Sequence, residues 1–549
     1  MNSDSIQHMH ISKIVIRNFK CFRKDFVLEL NKGMNVLVGD NDSGKSTILE
    51  AINLALSGVF HGRFLRNELS EHVFNREAVE AYIGNPKIGP PELLIELYFS
   101  GEGVDEYKGN GNSLKDQDAA GIKFSVRLDE QYRDEYVEFV NGDVTSLPIE
   151  YYEIVVESFA RKALTTRGIS LSAAFIDSSG ARYLNGSDAY VSRIVRDFLE
   201  DKERVTLAKV HREMADSFRR NEGVGAVNKR INEANDLLDG RELSLAVDLA
   251  ARSAWESNLI TCIDRIPFHF IGKGEQSLAK IAIALAHKRA QNANILLIEE
   301  PENHLSHSRL NQLIDMMSAA NDEKQIVMTT HSSFVANKAN LMHLIMLHDG
   351  KTTRLSELDP ETSTFFQKLA GYDTLRLLLC KRAILVEGDS DELVVQKAYK
   401  LKYGKLPIER GVDVISVGTS FLRFLEIAEK LKKPIDVVTD NDGDVDALQK
   451  KYESYLGVKA KDHIRISFDE IVDERKEIAG ESFNFNTLEP RMLAANGCAA
   501  MKEMLGTAFD DEEKIMKHMR ANKTDCALKI FNFEKDVKFP AYVNAAIEE

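Results

Sequence analysis

An Ile-rich run at 11–18 and a Phe/Val/Leu-rich run at 24–30 predict two short strands. A third, Met34 to Val38, ends at a glycine loop. Beyond the loop, Ile48, Leu49, Ile52 and Leu56 recur at helical spacing, which predicts a helix from Ser46 to Leu56. Apolar strand-like segments follow at 93–99, 122–128 and 151–156, and the polar, glycine-bearing stretch 101–120 between them predicts a surface loop. From about 188 to 260 charged and apolar residues alternate at helical period without a proline, which predicts a helical insertion. Strand and helix alternate again over 263–347. A linker around 350–376 then precedes a second α/β unit that starts at the strand Ala383-Ile384-Leu385-Val386.

Composition narrows the class. The chain has 549 residues, enough for two to four domains, with 44% hydrophobic and 29% charged residues, as in globular proteins. The net charge of -15 argues against a protein that coats nucleic acid by charge alone. It leaves room for clustered carboxylates, whose field a bound cation would reverse. Cys21, Cys262, Cys380, Cys498 and Cys526 are scattered with no CxxC pair, so neither a disulfide framework nor a zinc site is expected. No signal peptide and no apolar run approaching 18 residues is visible, so a cytoplasmic protein without a membrane segment is expected.

Two places carry chemistry. The first begins at Gly39-Asp40-Asn41-Asp42-Ser43-Gly44-Lys45-Ser46, which fits GxxxxGK[ST] between a predicted strand and helix. Glycines let backbone N–H groups curl around phosphates, Lys45 reaches the terminal phosphates, and the Ser46 hydroxyl ligates Mg²⁺. Far downstream, Ile271-Gly272-Lys273-Gly274-Glu275-Gln276 opens a helix expected over Leu278 to His287, a second anion site at a helix start. The buried strand Ile295 to Ile298 ends in Glu299 and Glu300, placing one carboxylate beside Mg²⁺ and one next to an attacking water. Val327 to Thr330 is a strand leading into His331.

That order and spacing resembles the ABC ATPases of the SMC/Rad50/RecF type, and Ile16-Arg17-Asn18-Phe19 looks like their opening strand. The resemblance implies that ATP is bound by Arg17 of the opening strand, by Asn41, Gly44, Lys45, Ser46 and Thr47 (Lys45 and Ser46 as Walker A), by Gly272, Gly274 and Gln276 (the signature), by Glu299 and Glu300 (Walker B) and by His331 (the γ-phosphate switch). Gly272 stands where many signatures have serine and Glu299 where many Walker B strands have aspartate. The family also implies a homodimer or higher oligomer, in which the signature of one subunit completes the other's nucleotide site and the helical insertion serves dimerisation.

The second place lies past the linker. The strand ending at Glu387 leads into Gly388-Asp389-Ser390-Asp391, and the strand Ile435 to Thr439 leads into Asp440-Asn441-Asp442-Gly443-Asp444. Carboxylates crowded at strand ends repel unless a cation lies between them, so Mg²⁺ or Mn²⁺ is expected. An EF-hand is excluded by Lys451, which occupies the twelfth loop position where a glutamate is required. Gly418-Thr419-Ser420, after the strand Val412 to Val417, is either a phosphate contact through backbone N–H groups or a plain turn.

Glu387-Gly-x-x-Asp391 with Asp440-x-Asp442-x-Asp444 resembles a Toprim domain. An SMC-like ATPase followed by a C-terminal Toprim domain resembles the OLD (overcoming lysogenization defect) family, as do Asn486-Thr487-Leu488-Glu489-Pro490, Asn522 to Leu528 and Pro540-Ala541-Tyr542-Val543. The fold implied is α/β: an ABC-type ATPase head over 1–187 and 261–376 around a helical insertion at 188–260, then a Toprim domain over 377–549. By the same resemblance Glu387, Asp391, Asp440, Asp442 and Glu489 hold two metals, Asp444 is a further ligand or supports one, and Lys523 stabilises charge on the scissile phosphate. The expected function is a metal-dependent DNA endonuclease or nickase governed by ATP, acting on phage or plasmid DNA, with a helicase or a retron reverse transcriptase and its DNA as partners. An RNA-cutting toxin and a non-catalytic ATP-dependent clamp are the alternatives. A topoisomerase is not expected, because no further domain supplies a tyrosine and a gate.

Overall fold

The computed structural model describes residues 9–177 apart from 62, 201–233, 245, 262–286, 294–320 apart from 304, 324–348, 350–355, 358–369, 373–474, 476–478 and 481–548. Most of the expected insertion at 188–260 therefore lies outside the described residues. The described part forms two helices, Asp201–Arg220 and Glu222–Glu233. The chain divides into two compact units, Met1–Met34 with Ser46–Thr329 and Asn35–Lys45 with Thr330–Glu549. The glycine loop thus groups with the later part of the chain rather than with the residues around it in sequence. The strand pairing explains this: Met34–Gly39 lies parallel to Leu344–His348, with Val36 opposite Leu344 and Gly39 opposite Leu347.

In the first unit, an antiparallel sheet runs Phe26–Glu29, His10–Arg17, Leu93–Ser100, Ala119–Leu128, and Tyr152–Ser158 pairs with the last of these. The expected loop at 101–120 is irregular apart from a short helical turn at Asp105–Tyr107, the two-residue strand Lys108–Gly109 and its last two residues, which open the strand Ala119–Leu128. A parallel set joins Ala173–Asp177, Ile295–Glu299 and Gln325–Thr329, with Asp177, Glu299 and Thr329 in register at their carboxyl ends. Every residue of Ile295–Glu299 is buried, as a strand covered on both faces requires. Buried Gln325 bonds the first sheet to the second: its amide accepts from Ile11 N–H at 2.9 Å and donates to the Ile11 and Asn31 carbonyls, each at 2.7 Å.

The second unit holds a four-stranded parallel sheet in the order Val412–Ser416, Arg382–Val386, Ile435–Val438, Ile464–Ser467. Arg382–Val386 comes first in sequence, and the chain places its next strand on one side and the following one on the other. The strand order therefore reverses between Arg382–Val386 and Ile435–Val438, and the crevice outside the carboxyl ends of such a pair is where open α/β sheets take ligands. The stretch read as a linker is folded in part, into helices Pro360–Lys368 and Thr374–Leu379. Phe366, Leu375, Leu377 and Leu378 are buried, and apolar burial of that kind holds short helices that propensity alone would not. Among the described residues no helix is long and apolar enough to cross a membrane.

Candidate active sites for nucleotide and phosphodiester chemistry

The glycine loop is shaped for phosphate. Asp42 and Gly44 adopt positive φ, 63° and 96°, and a Cβ on Gly39 would sit 2.6 Å from the Leu347 carbonyl oxygen, so no larger residue fits. Lys45 is buried, and its ammonium donates to the Gly39 and Asp40 carbonyls at 2.9 and 2.8 Å. The helix starts at Lys45 and runs to Ser57, burying Ile48, Leu49 and Ile52. Ser46 is half-buried at its start, Asn41 is exposed, and the Thr47 hydroxyl accepts from the Cys21 thiol at 3.6 Å. Arg17 faces Asp25, with Nη2 to Oδ2 at 2.7 Å and a second contact from Nε.

The other expected nucleotide groups lie in their elements as follows. The helix at the signature begins at Lys273, five residues before the expected Leu278, and runs to Ala286. Gly274 therefore falls within its first turn, and the Gly272 carbonyl accepts from the N–H groups of Glu275 and Gln276. Gly272 is exposed, and the Gln276 amide donates to the Ile271 carbonyl at 2.8 Å. Glu299 is buried at its strand end. Glu300 has φ 44°, a strained conformation for a non-glycine residue. Its N–H bonds to the Thr329 carbonyl at 3.1 Å, and its carboxylate accepts from the Asn303 amide at 2.9 Å. His331 is exposed just past the strand Gln325–Thr329. The next residue, Ser332, caps helix Ser333–Lys338 by accepting from Val335 N–H.

The second site sits at the reversal of strand order. Glu387 follows the strand Arg382–Val386, and Asp440 follows Ile435–Val438 by two residues. Asp391 lies in the first turn of helix Asp389–Tyr403 and accepts from the Gly388 N–H at 3.1 Å. Asp442 takes φ 51° beside Gly443 at φ 86°, and its carboxylate accepts from the Asn484 amide at 3.2 Å. Asp444 caps helix Val445–Lys451 by accepting from Ala447 N–H at 2.9 Å, a role that helix formation alone accounts for. Glu489 enters from helix Leu488–Leu505, which is broken at Gly497; its carboxylate accepts from Thr487 Oγ1 at 3.2 Å and pairs with Lys523 Nζ at 3.0 Å. Periodicity alone makes Lys523 a solvated lysine, yet the first residue of helix Lys523–Asn532 reaches this cluster.

These carboxylates feel one another. Burial first, then Glu489 and Glu387, lifts the Asp391 carboxyl to about 6. Burial, then Asp391, Glu489 and Glu387, holds Asp440 well above the usual carboxylate range. Burial and Asp442 raise Glu387, against the pull of Lys451 and Lys523. Burial disfavours the Lys523 ammonium, but Glu489, together with Asp440 and Asp391, more than offsets it and the net shift is upward. One lysine at hydrogen-bond range does not neutralise such a set. The donor chemistry fits hard divalent cations, which take oxygen ligands and supply the missing charge. As placed, no three ligand-type side chains among the described residues converge on a single point; Asp391, Asp440, Asp442 and Glu489 are each turned toward a protein donor.

Several supporting residues had no role assigned from the sequence. Asn441, between Asp440 and Asp442, donates to the Asp469 and Ile471 carbonyls. Asn486 exchanges hydrogen bonds with the backbone of Asp473, and Arg491, two residues beyond Glu489, pairs with Asp469 at 2.9 Å and Asp473 at 2.6 Å. Tyr542 donates to Asp440 Oδ1 at 3.3 Å. Asn486 and Tyr542 fall in stretches, Asn486 to Pro490 and Pro540 to Val543, that drew notice only through their resemblance to the OLD family. The expectation of a phosphate contact at Gly418 is answered in favour of the plain turn at that residue: its N–H donates to the Glu387 carbonyl at 3.0 Å.

Comparison with known proteins matches two families to successive parts of the chain. The sequence model "RecF/RecN/SMC N terminal domain" matches residues 10–354, and "Overcoming lysogenization defect protein-like, TOPRIM domain" matches residues 378–442. The chain is 36% identical over 135 residues to structural maintenance of chromosomes protein 6 of Saccharomyces cerevisiae (strain ATCC 204508 / S288c), which covers 21% of this chain and 12% of that protein. It is 32% identical over 107 residues to the DNA replication and repair protein RecF of Vibrio campbellii (strain ATCC BAA-1116), covering 19% of this chain and 29% of that protein. The chain thus spans less than a third of the length of these curated relatives. Among solved structures, an Smc head bound to the C-winged helix domain of ScpA is similar over 64% of this chain and 99% of that one, with TM-score 0.34 and 15% identity. A RecF–ATP structure is similar over 65% of this chain and 100% of that one, with TM-score 0.34 and 13% identity.

Proposed function

The chain belongs to the RecF/RecN/SMC N-terminal-domain family and carries an OLD-like Toprim domain after it, and from that premise we propose that it is a divalent-metal-dependent DNA endonuclease or nickase governed by ATP. The observation that carries the proposal is that Glu387 and Asp440 follow adjacent strand ends at the carboxyl-end crevice, where the helix start carrying Glu489 donates Leu488 N–H to Asp440 and Glu489 pairs with Lys523 at 3.0 Å. Glu387, Asp391, Asp440, Asp442 and Glu489 would hold two cations, with Asp444 at the edge of the set. Bound Mg²⁺ or Mn²⁺ would supply a nucleophilic water of lowered pKa and charge for the leaving oxygen. Lys523 gives a fixed positive charge where the attacked phosphate becomes more negative.

Nucleotide binding is assigned to Arg17, Asn41, Gly44, Lys45, Ser46, Thr47, Glu299 and His331, with Ser46 and Glu299 as the Mg²⁺ side and Glu300 orienting the attacking water. Gly272, Gly274 and Gln276 open a helix start at which Gly272 is exposed and the other two half-buried, which suits presentation to a second copy of the chain. A chain of hydrogen bonds, buried at its start and partly exposed at its end, supports control of one site by the other. Helix Ser333–Lys338 follows His331, and its fully buried Asn337 accepts from Thr374 Oγ1 at 2.5 Å. Two residues on, Arg376 bonds Asp413 through both guanidinium branches and reaches Glu392, next to Asp391, at 3.5 Å.

DNA is favoured over RNA because curated relatives of the ATPase part are named for DNA replication and repair. The finer setting follows the resemblance alone: defence against phage or plasmid DNA, with a helicase or a retron reverse transcriptase as partner, which the neighbouring genes would identify. The test is cleavage of plasmid DNA in Mg²⁺ or Mn²⁺ by Asp440→Ala and Glu387→Ala. Both should be inactive while folding and ATP binding persist; undiminished cleavage by both removes the carboxylate site from the chemistry. Parallel assays on structured RNA decide for the toxin reading if only RNA is cut.

A further inference from the structure

Tyr542 lies in helix Ala541–Ala546, which packs its Tyr542, Val543 and Ala546 into the core of the Toprim-like sheet. The helix is gripped one turn beyond the tyrosine. Asp436, buried on the strand Ile435–Val438, binds both Arg382 and Arg465. Each of these arginines uses another nitrogen to hold a backbone carbonyl: Arg382 that of Ala546 at 2.6 Å, Arg465 that of Glu548 at 2.5 Å. Tyr403 adds a hydrogen bond to the Ile547 carbonyl at 3.0 Å. The last carbonyls of a helix have no partners within it, so these donors fix its end and its rotation.

The rotation they fix aims the Tyr542 hydroxyl at Asp440. One Asp440 oxygen accepts from that hydroxyl at 3.3 Å, and the other accepts from Leu488 N–H at 3.2 Å. A carboxylate has about four lone-pair directions, so two donors set its plane and leave acceptor capacity on each oxygen. The Leu488 N–H belongs to the helix start that carries Glu489. Asp440 is therefore oriented from two elements at once, and a bare need to satisfy a buried phenol would not require that its partner be this carboxylate.

We propose that Tyr542 is a positioning residue that orients Asp440 for divalent-cation binding, with Asp436, Arg382 and Arg465 holding its helix in register. This rests on the reading of the carboxylate cluster as a metal site. Partners that orient a metal ligand typically contribute roughly 10- to 100-fold in metal affinity. Tyr542→Phe keeps the ring in the core and removes only the hydroxyl. In the full-length protein, without nucleic acid, Mn²⁺ titration by calorimetry should show binding about tenfold weaker than wild type, with the circular-dichroism spectrum unchanged. Arg465→Met, at a half-exposed position, should weaken Mn²⁺ in the same direction by less. Wild-type Mn²⁺ affinity in Tyr542→Phe overturns the proposal and leaves the metal site standing. If Tyr542→Phe loses its fold, wild-type affinity in Arg465→Met overturns it instead. A wild-type protein whose Mn²⁺ binding is unaffected by Glu387→Ala overturns the metal-site reading, and this proposal with it.

Discussion

The glycine loop and the carboxylate crevice both suit phosphate chemistry, yet they are built in opposite ways. The loop is one contiguous stretch, Gly39 to Ser46, whose working parts are mostly backbone N–H groups, with positive φ at Asp42 and Gly44 making the curl. Its one cation is the buried Lys45, in a loop that also carries Asp40 and Asp42. The crevice draws side chains from positions between Glu387 and Tyr542, brought together by a parallel sheet and by helices that arrive long after it in sequence. The first offers fixed donors to an anion; the second concentrates negative charge that only a cation relieves. A loop of the first kind tolerates change around it but not within it. A site of the second kind depends on every element that aims a carboxylate, including those with no contact to substrate.

The largest effect that would sharpen this contrast comes from Lys523→Ala. If the lysine meets charge that develops only as the phosphate is attacked, the single-turnover rate should fall roughly 10²–10³-fold, with DNA affinity and metal content near wild type. Weakened DNA binding at an unchanged rate would make it a backbone contact. Next is Glu300→Gln, which should retain ATP and hydrolyse it roughly 10²-fold more slowly; turnover at the wild-type rate would assign the water to another residue. The smallest effect concerns the connection between the two regions. Thr374→Val removes the buried bond to Asn337. ATP hydrolysis and nucleotide-free cleavage should persist, while the change that nucleotide produces in cleavage shrinks roughly threefold to tenfold. An unaltered nucleotide effect would show that coupling bypasses this contact.

The same contrast explains what the sequence disclosed. The strand before the loop, the helix after it and the acidic strand Ile295–Glu299 were legible because each is a local pattern of burial. Glu387, Asp391 and Asp440 were legible because strand ends announce themselves. The helix expected from Leu278 begins at Lys273, since Gly274 lies in its first turn and the Gly272 carbonyl already accepts helical bonds. Helices Pro360–Lys368 and Thr374–Leu379 were hidden inside an apparent linker, since they are too short for periodicity and are held by tertiary burial. Asn441, Arg491 and Tyr542 were illegible for a deeper reason: their partners are distant in sequence, and no local rule pairs Tyr542 with Asp440 or Arg491 with Asp469.

The central claim is that one chain carries two separate phosphate centres, one binding nucleotide and one binding metal for strand cleavage. Nucleotide binding and Mn²⁺ binding measured side by side on Lys45→Ala and Asp440→Ala test it most directly, with Mn²⁺ titrated in the absence of nucleotide. Lys45→Ala should lose roughly 10²-fold in ATP affinity and keep its nucleotide-independent Mn²⁺ site; Asp440→Ala should lose that Mn²⁺ site and keep ATP. A variant that loses both ligands while folded, or Asp440→Ala retaining Mn²⁺ at wild-type affinity, would contradict it.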